Sequence, residues 1–367
     1  MPGAALSDKE QRDRLRLIRS SNVGPIVFRQ LLGRYGTAAK ALEALPDLIR
    51  RGGHGQGMTL CSADEAEDEI AALGKLGAVL LHFDQPDYPP LLADLSTAPP
   101  ILTVRGNTAL LGAPAIGVVG ARNASAAGIR FTRQLAEDLG AQGYVVVSGL
   151  ARGIDTAAHG AALATGTVAA MAGGIDVVYP PENQALYESM AAQGALVCEM
   201  PMGTKPQARH FPRRNRLISG LSLGVVVIEA ALKSGSLITA NYALEQGREV
   251  FAVPGSPLDP RCRGTNNLIR QGAVLTEGIG DILENLAPRA ISIPRQQELS
   301  LGPAPVAAEA DDTARAAVLE KLGPTPTEVD EVIRQSGLTP ELVLTILLEL
   351  ELAGRLDRHA GNKVSLA

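Results

Sequence analysis

The chain has 367 residues, 46% hydrophobic and 20% charged, which excludes a disordered protein and, at roughly 150 residues per domain, a single small module. Aromatics are only 3% with no Trp, against 39 Gly and 24 Pro, so the core is expected to be aliphatic and packed on glycine turns, as in α/β proteins rather than aromatic-cored sandwiches. A net charge of −5 excludes a uniformly basic nucleic-acid protein and leaves room for local basic patches.

Cys61, Cys198 and Cys262 are scattered and odd in number, which argues against a disulfide framework or structural metal and for reduced thiols in the cytoplasm. The polar start (Asp8, Lys9, Glu10, Arg12, Asp13) is unlike a signal peptide. No apolar stretch approaches the roughly 18 residues of a membrane span, so no membrane partner is expected. No cofactor is expected either.

In chain order, residues 1–75 read as a small helical module. Leu15, Leu17 and Ile18, then Ile26, Val27, Leu31 and Leu32, then Leu42 and Leu45 recur at helical spacing. The turn Asn22-Val23-Gly24-Pro25 gives a helix-hairpin-helix or SAM-like pattern. Its backbone N–H groups could hold a DNA phosphate, or the module could simply pack, the more common use of such turns. Gly52, Gly53, Gly55 and Gly57 around His54 read as a connector.

Residues 76–288 open with a Pro-rich extended arm at Asp84–Pro90 and Pro99-Pro100. From Ile116 to Leu286, short β-branched runs alternate with helical stretches. Candidate strands are Ile116–Val119, Tyr144–Ser148, Thr167–Met171, Leu196–Glu199, Val225–Glu229 and Val250–Val253, with helices beginning near Ala126, Thr156, Asn183, Arg213 and Leu237. This alternation predicts an extended Rossmann-like, doubly wound parallel sheet. Residues 289–312 read as a Pro-rich linker. Residues 313–367 read as a winged-helix module: Thr325-Pro326-Thr327-Glu328 is expected to cap one helix and Thr339-Pro340 to start the next, with Arg358–Leu366 as a ribbon. The would-be recognition helix carries Glu341, Glu349 and Glu351 and no basic residue before Arg355, so protein contact is expected over groove reading.

The chemistry should lie beyond the carboxyl ends of the strands, where helix N-termini offer free N–H donors. The first turn supplies Gly120, Arg122, Ser125 and Gly128, a pattern suited to a phosphate. It lacks G-x-G-x-x-G, no acidic residue for a ribose follows the second strand, and no G-x-x-x-x-G-K-[ST] loop occurs, so neither a dinucleotide site nor a P-loop NTPase is indicated. The second turn holds Ser148, Gly149 and Gly153, followed by Asp155 and His159 four residues apart. These two could form an acid/base pair, but with no nucleophile elbow beside them, capping and loop bracing is the simpler reading.

Two windows carry no acid: residues 95–136, with Arg105, Arg122, Arg130 and Arg133, and the stretch between Glu199 and Glu229, with Lys205, Arg209, Arg213, Arg214 and Arg216. With Phe211 embedded, Phe211-Pro212-Arg213-Arg214-Asn215-Arg216 suggests a groove that follows a phosphate chain.

Taken in order, Gly120-Ala-Arg122-Asn-Ala-Ser125, Ser148-Gly149-Leu-Ala-Arg-Gly153-Ile-Asp155 with Ala158-His159, Gly174-Ile-Asp176-Val-Val-Tyr179-Pro180, Phe211 to Ser222, and Glu229-Ala230 followed by Ser234-Gly235-Ser236-Leu237 resemble the signature blocks of the bacterial DNA-processing DprA (Smf) family. That resemblance implies a non-enzymatic mediator that binds single-stranded DNA, dimerises through its Rossmann-like domain and helps load RecA during natural transformation, with single-strand-binding protein as a further partner. By residue match Arg122 and Ser125 would hold a phosphate, and Arg213, Arg214 and Arg216 would line or buttress the pocket. Lys205, Phe211, Asn215 and Ser234 complete the expected surface. Relatives often carry a basic residue just after the Tyr-Pro pair; here Pro181-Glu182 stands there, and Lys205 or Arg209 would take over that contact.

The rival reading is a nucleotide-processing hydrolase of related fold, with Glu229, Asp155 and His159 as acid and base. Ser234-Gly235-Ser236-Leu237-Ile238-Thr239 departs from the P-G-G-x-G-T-x-x-E loop of such enzymes. A pure protein-interaction scaffold dominated by the C-terminal module is the third.

Overall fold

The computed structural model describes residues 6–53, 59–286, 310–359 and 361–367. Most of the glycine connector around His54, and the expected linker up to residue 309, lie outside the described residues. The chain divides into two compact units: residues 71–286, and residues 6–70 together with 310–367.

Four helices open the chain: α1 (Asp8–Arg19), α2 (Pro25–Tyr35), α3 (Ala38–Arg51) and α4 (Ala63–Leu76), the unit boundary falling within α4. Ser7 and Thr37 cap α1 and α3, accepting from the N–H groups of Glu10 and Lys40. Leu15, Leu17, Leu31 and Leu45 are fully buried.

The larger unit then runs β1 (Ala78–His82), α5 (Pro90–Ala93), β2 (Ile101–Gly106), β3 (Ala115–Val119), α6 (Ala126–Ala141), β4 (Val145–Ser148), α7 (Ile154–Ala162), β5 (Thr167–Ala170), α8 (Gln184–Gln193), β6 (Ala195–Cys198), α9 (His210–Gly220), β7 (Gly224–Val227), α10 (Gly235–Glu245), β8 (Glu249–Ala252), α11 (Arg263–Arg270), β9 (Val274–Leu275) and α12 (Ile279–Leu286). These strands form one nine-stranded sheet in the order β1-β2-β6-β5-β4-β3-β7-β8-β9. From β6 to β9 all neighbours are parallel, as the alternating pattern predicts. The short runs are buried because helices cover both faces: Leu135, Leu139 and Ala158 of α6 and α7 pack on one, Leu217, Ile218 and Ala240 of α9 and α10 on the other.

The stretch read as an extended arm holds more. Val79-Leu80-Leu81 and Ile101-Leu102-Thr103-Val104 pair antiparallel as β1 and β2, and β2 adds antiparallel to β6. The chain therefore winds from β3 outward through β4, β5 and β6, then returns to the far side of β3 for β7 and β8. The junction of β3 and β7 is the switch point of the sheet.

The smaller unit completes itself with α13 (Asp312–Glu320), β10 (Thr327–Glu328), α14 (Val329–Ser336), α15 (Pro340–Leu352), β11 (Leu356–His359) and β12 (Lys363–Leu366). One expectation is corrected here. Thr327 and Glu328 do not lie inside a helix capped by Thr325; they pair as β10 with Val364 and Lys363 of β12, and α14 begins only at Val329. A backbone ladder outcompeted a local cap.

Helix α15, the recognition helix of a winged helix, is packed against α2 and α3. Thr345, Leu348, Glu349 and Leu352 are buried. Arg34 donates to Thr345 Oγ1 at 3.1 Å, Asn22 of the hairpin turn donates to the Leu352 carbonyl at 3.1 Å, and Arg355 donates to the Gly52 carbonyl at 3.0 Å. The hairpin turn thus satisfies a carbonyl that the end of α15 leaves open.

Candidate nucleic-acid interface

The carboxyl rim of the parallel sheet begins with the turn after β3. Gly120 sits where a Cβ would lie 2.6 Å from Ile154, so only glycine lets the turn approach α7. Ser125 caps α6: its hydroxyl accepts the Gly128 N–H at 2.9 Å and donates to Glu229, whose carboxylate also accepts the Ser125 N–H at 2.9 Å. A Cβ on Gly128 would lie 2.7 Å from that carboxylate. Glu229, one of the three residues of the rival acid/base set, is therefore occupied as the built-in anion at the N-terminus of α6. Arg122 remains exposed on the turn.

The turn after β4 is held on every side. The Ser148 hydroxyl is buried and donates to the Val118 carbonyl at 2.6 Å. Asp155 accepts the N–H groups of Gly149 and Ala151 at 3.1 and 3.3 Å. His159 Nε2 accepts the N–H of Leu150, a residue in the left-handed region at φ 53°, while Nδ1 meets Thr167 Oγ1 at 2.7 Å. Burial and the nearby Arg214 push the His159 pKa down to about 3, so it stays neutral as this acceptor. Desolvation raises the Asp155 pKa, and Arg214 opposes that rise. Both residues brace the loop, the simpler of the two readings of that pair.

Helix α9 brings the aromatic and the cations together. Arg214 is 6% exposed; its charge partner, Asp155, lies 3.8 Å away, and its Nε has no hydrogen-bond partner among the described residues. Desolvation lowers its pKa, with Asp155 acting against that and Arg122 with it. The Arg122 and Arg214 guanidinium carbons lie 5.1 and 5.9 Å from the centre of the Phe211 ring, and Tyr179 is tilted against the same ring at 5.9 Å.

Two clefts open on either side of this wall. One, of about 250 Å³, is lined by Gly149, Arg152, Met171, Val177, Tyr179 and Pro206 beside the wall. The other, of about 450 Å³, is lined by Gly120, Asn215, Lys233, Ser234, Ser236 and Arg261. Arg122, Phe211 and Arg214 border both.

Of the residues expected at the site, the structure gathers Gly120, Arg122, Gly149, Phe211, Arg214, Asn215 and Ser234 at these clefts. Gly153, at φ 74°, Gly128, Ser125 and Ser148 lie behind the turns as framework. Lys205 and Arg213 are exposed and line neither cleft. Arg216 points elsewhere, paired with Glu199 and donating to the Thr97 carbonyl at 2.6 Å. Glu182, where relatives often have a base, pairs with Arg152 at 3.4 Å.

Sequence reasoning passed over Arg152, Lys233 and Arg261 as cleft residues. Arg152 lies inside a motif already singled out and Lys233 directly before one, a usable signal. Arg261 arrives from the distant turn after β8 and had none.

Fold and site together define a doubly wound α/β protein whose sheet rim gathers two arginines against one aromatic ring, with helix-hairpin-helix and winged-helix modules attached. Residues 79–287 match the family described as DNA recombination-mediator protein A, residues 8–72 the DprA-like N-terminal helix-hairpin-helix domain, and residues 302–362 the DprA winged-helix domain. The chain belongs to the DprA (Smf) family. It is 42% identical to protein Smf of Escherichia coli K12 over 300 residues, covering 78% of this chain and 77% of that one. Among solved structures, DprA of Streptococcus pneumoniae superposes with a TM-score of 0.63 at 34% identity, covering 77% of this chain and 98% of that one. DNA processing protein A of Helicobacter pylori, whose structure concerns its single-stranded DNA binding mode, superposes with a TM-score of 0.52 at 29% identity, covering 58% and 96%.

Proposed function

We propose that this protein binds single-stranded DNA across the two clefts and acts, without breaking bonds in it, as a recombination mediator that helps load RecA onto incoming strands. One observation carries the reading: two guanidiniums lie against one aromatic ring at the sheet rim, and the Nε of the buried one has no hydrogen-bond partner among the described residues. A phosphate would complete Arg214 and Arg122, while a base stacks on Phe211. Such a site accepts any base, because every base has a π face and every nucleotide a phosphate. Duplex DNA keeps its bases stacked inside and cannot offer them.

Membership of the DprA family and the single-stranded DNA binding mode addressed in the Helicobacter pylori relative support this reading. Exposed Leu244 on α10 and Leu275 on the edge strand β9 offer apolar surface for dimerisation through the larger unit. Among the described residues no helix is long and apolar enough to cross a membrane, and the three cysteines are free, as suits a reducing compartment.

The test is fluorescence anisotropy with labelled oligo-dT. Arg122→Ala, a change at an exposed side chain, should weaken binding about tenfold or more with an unchanged melting temperature. Equal affinity of wild type and variant at low and moderate salt would remove the proposal. RecA loading is tested separately, by following RecA ATPase on strands coated with single-strand-binding protein.

A further inference from the structure

Helix α15 is buried on two sides. Val343, Ile346, Leu347 and Leu350 face the core of the winged helix itself, beside Val318, Val329, Val332 and Val364. Thr345, Leu348, Glu349 and Leu352, at the i, i+3, i+4, i+7 spacing of one helix face, are buried as well, where α15 packs on α2 and α3. A free winged helix turns that outer face to nucleic acid. Here the face carries no basic residue, and its Glu349 is 1% exposed and paired with Arg315 at 2.9 Å.

The occupant suits its seat. Residues 25–51, which carry α2 and α3, hold five Lys and Arg against two Asp and Glu, whereas residues 311–367 hold six against ten. The carboxyl end of α15, the negative end of its dipole, lies at the hairpin turn: Asn22, at φ 58°, donates to the Leu352 carbonyl. Arg34 reaches Thr345, and Arg355 reaches the Gly52 carbonyl. A Cβ on Gly52 would lie 2.0 Å from the Glu349 carbonyl oxygen, so the seat is shaped to the backbone of the helix. Beside this contact the turn keeps unspent donors. The N–H groups of Asn22 and Gly24 have no acceptor among the described residues, and α2 starts with neither an acidic residue in its first turn nor a side-chain cap.

We propose that this contact is autoinhibitory. Helix α15 sits on the hairpin module in place of an anionic backbone, and its release frees the turn and Arg34 to hold phosphates of duplex DNA. The released helix, with Glu349 on its outer face, gains no groove to read. The clefts of the larger unit play no part, so this inference stands whether or not they bind a single strand.

Full-length wild type, Gly52→Val and Arg355→Ala are titrated with a labelled blunt duplex by anisotropy across a salt series, each alone and combined with Gly24→Asp. Thermal melts and hydrogen exchange of the Leu348–Leu352 amides accompany them. Gly24 has open space at its Cβ position and an ordinary φ of −88°, so the added carboxylate repels phosphate without disturbing the turn. Gly52→Val should show faster exchange and bind duplex about tenfold more tightly than wild type, and the slope of log affinity against log salt should steepen by about 0.9 for each phosphate newly held. Arg355→Ala, a change at an exposed side chain, should show part of the gain, and Gly24→Asp should cancel it in both. Faster exchange with wild-type duplex affinity overturns the proposal. So does a gain that survives Gly24→Asp, because the released donors then lie elsewhere. Unchanged exchange in both variants shows that these contacts do not hold α15 and overturns it too. If Gly52→Val fails to fold, Arg355→Ala decides by the same readings.

Discussion

Gly149 and Arg214 occupy one space: a Cβ on Gly149 would lie 1.1 Å from Arg214 Nη1. The glycine after β4 is there so that a guanidinium from α9 can lie against the loop backbone. Its conformation matters less, since its φ is not among the positive ones.

Gly149→Ala should therefore displace Arg214 from the wall between the clefts. Overpacking of this kind costs about 1–3 kcal/mol of stability. The expected outcome is a lower melting temperature together with at least about tenfold weaker oligo-dT binding. Calorimetry and anisotropy on one preparation check both.

Phe211 separates stacking from charge. Phe211→Ala should weaken oligo-dT binding by about 1–3 kcal/mol, the range for losing one base–aromatic stack, with the salt slope unchanged because no phosphate contact is removed. A slope that changed as much as in Arg122→Ala would show the ring acting only as a support for the arginines.

His159 gives the loop after β4 an acid-sensitive brace. Its folded pKa is about 3 against an ordinary 6.5, so the unfolded chain takes up a proton first as pH falls. The stability it contributes is present above about pH 6.5 and is lost progressively toward pH 3. Asp155 works in the opposite sense, since its raised pKa makes the folded chain the better proton binder. Urea unfolding at pH 7 and pH 5 should show the wild type losing up to about 2 kcal/mol more than His159→Gln, which does not titrate.

In the smaller unit a Cβ on Gly52 would lie 2.0 Å from the Glu349 carbonyl oxygen of α15. Gly52→Val should separate α3 from α15, breaking the Arg355 hydrogen bond to the Gly52 carbonyl and loosening that of Asn22 to Leu352. Hydrogen exchange of the Leu348–Leu352 amides should accelerate markedly. Oligo-dT affinity should stay at the wild-type value, because both clefts are built from residues of the larger unit.

The periodicities were sufficient for six of the seven parallel strands, since a strand covered by helices on both faces must read as a short aliphatic run, as Val145–Ser148 and Val225–Val227 do; the two-residue edge strand β9 is too short to leave such a run. Glycine turns at the strand ends, the Arg122 and Phe211–Arg216 motifs, and the winged-helix order were equally local and therefore legible. The antiparallel pair β1 and β2 was missed because its flanking prolines masked two ordinary strands. The false cap at Thr325 arose because pairing with β12 is a contact between residues far apart in sequence.

What only the tertiary structure decided is which charges are free. From Arg213, Arg214 and Arg216 as written, nothing tells that one is exposed, one is buried with no hydrogen-bond partner at Nε among the described residues, and one is held by Glu199. Nor does composition reveal that Glu229 and Ser125 satisfy each other, or that Asn22 closes the end of a helix 330 residues away. A sequence fixes which groups exist and the period at which they recur. Whether a cation meets a ligand or a carboxylate depends on distances of a few ångströms, and packing alone sets those.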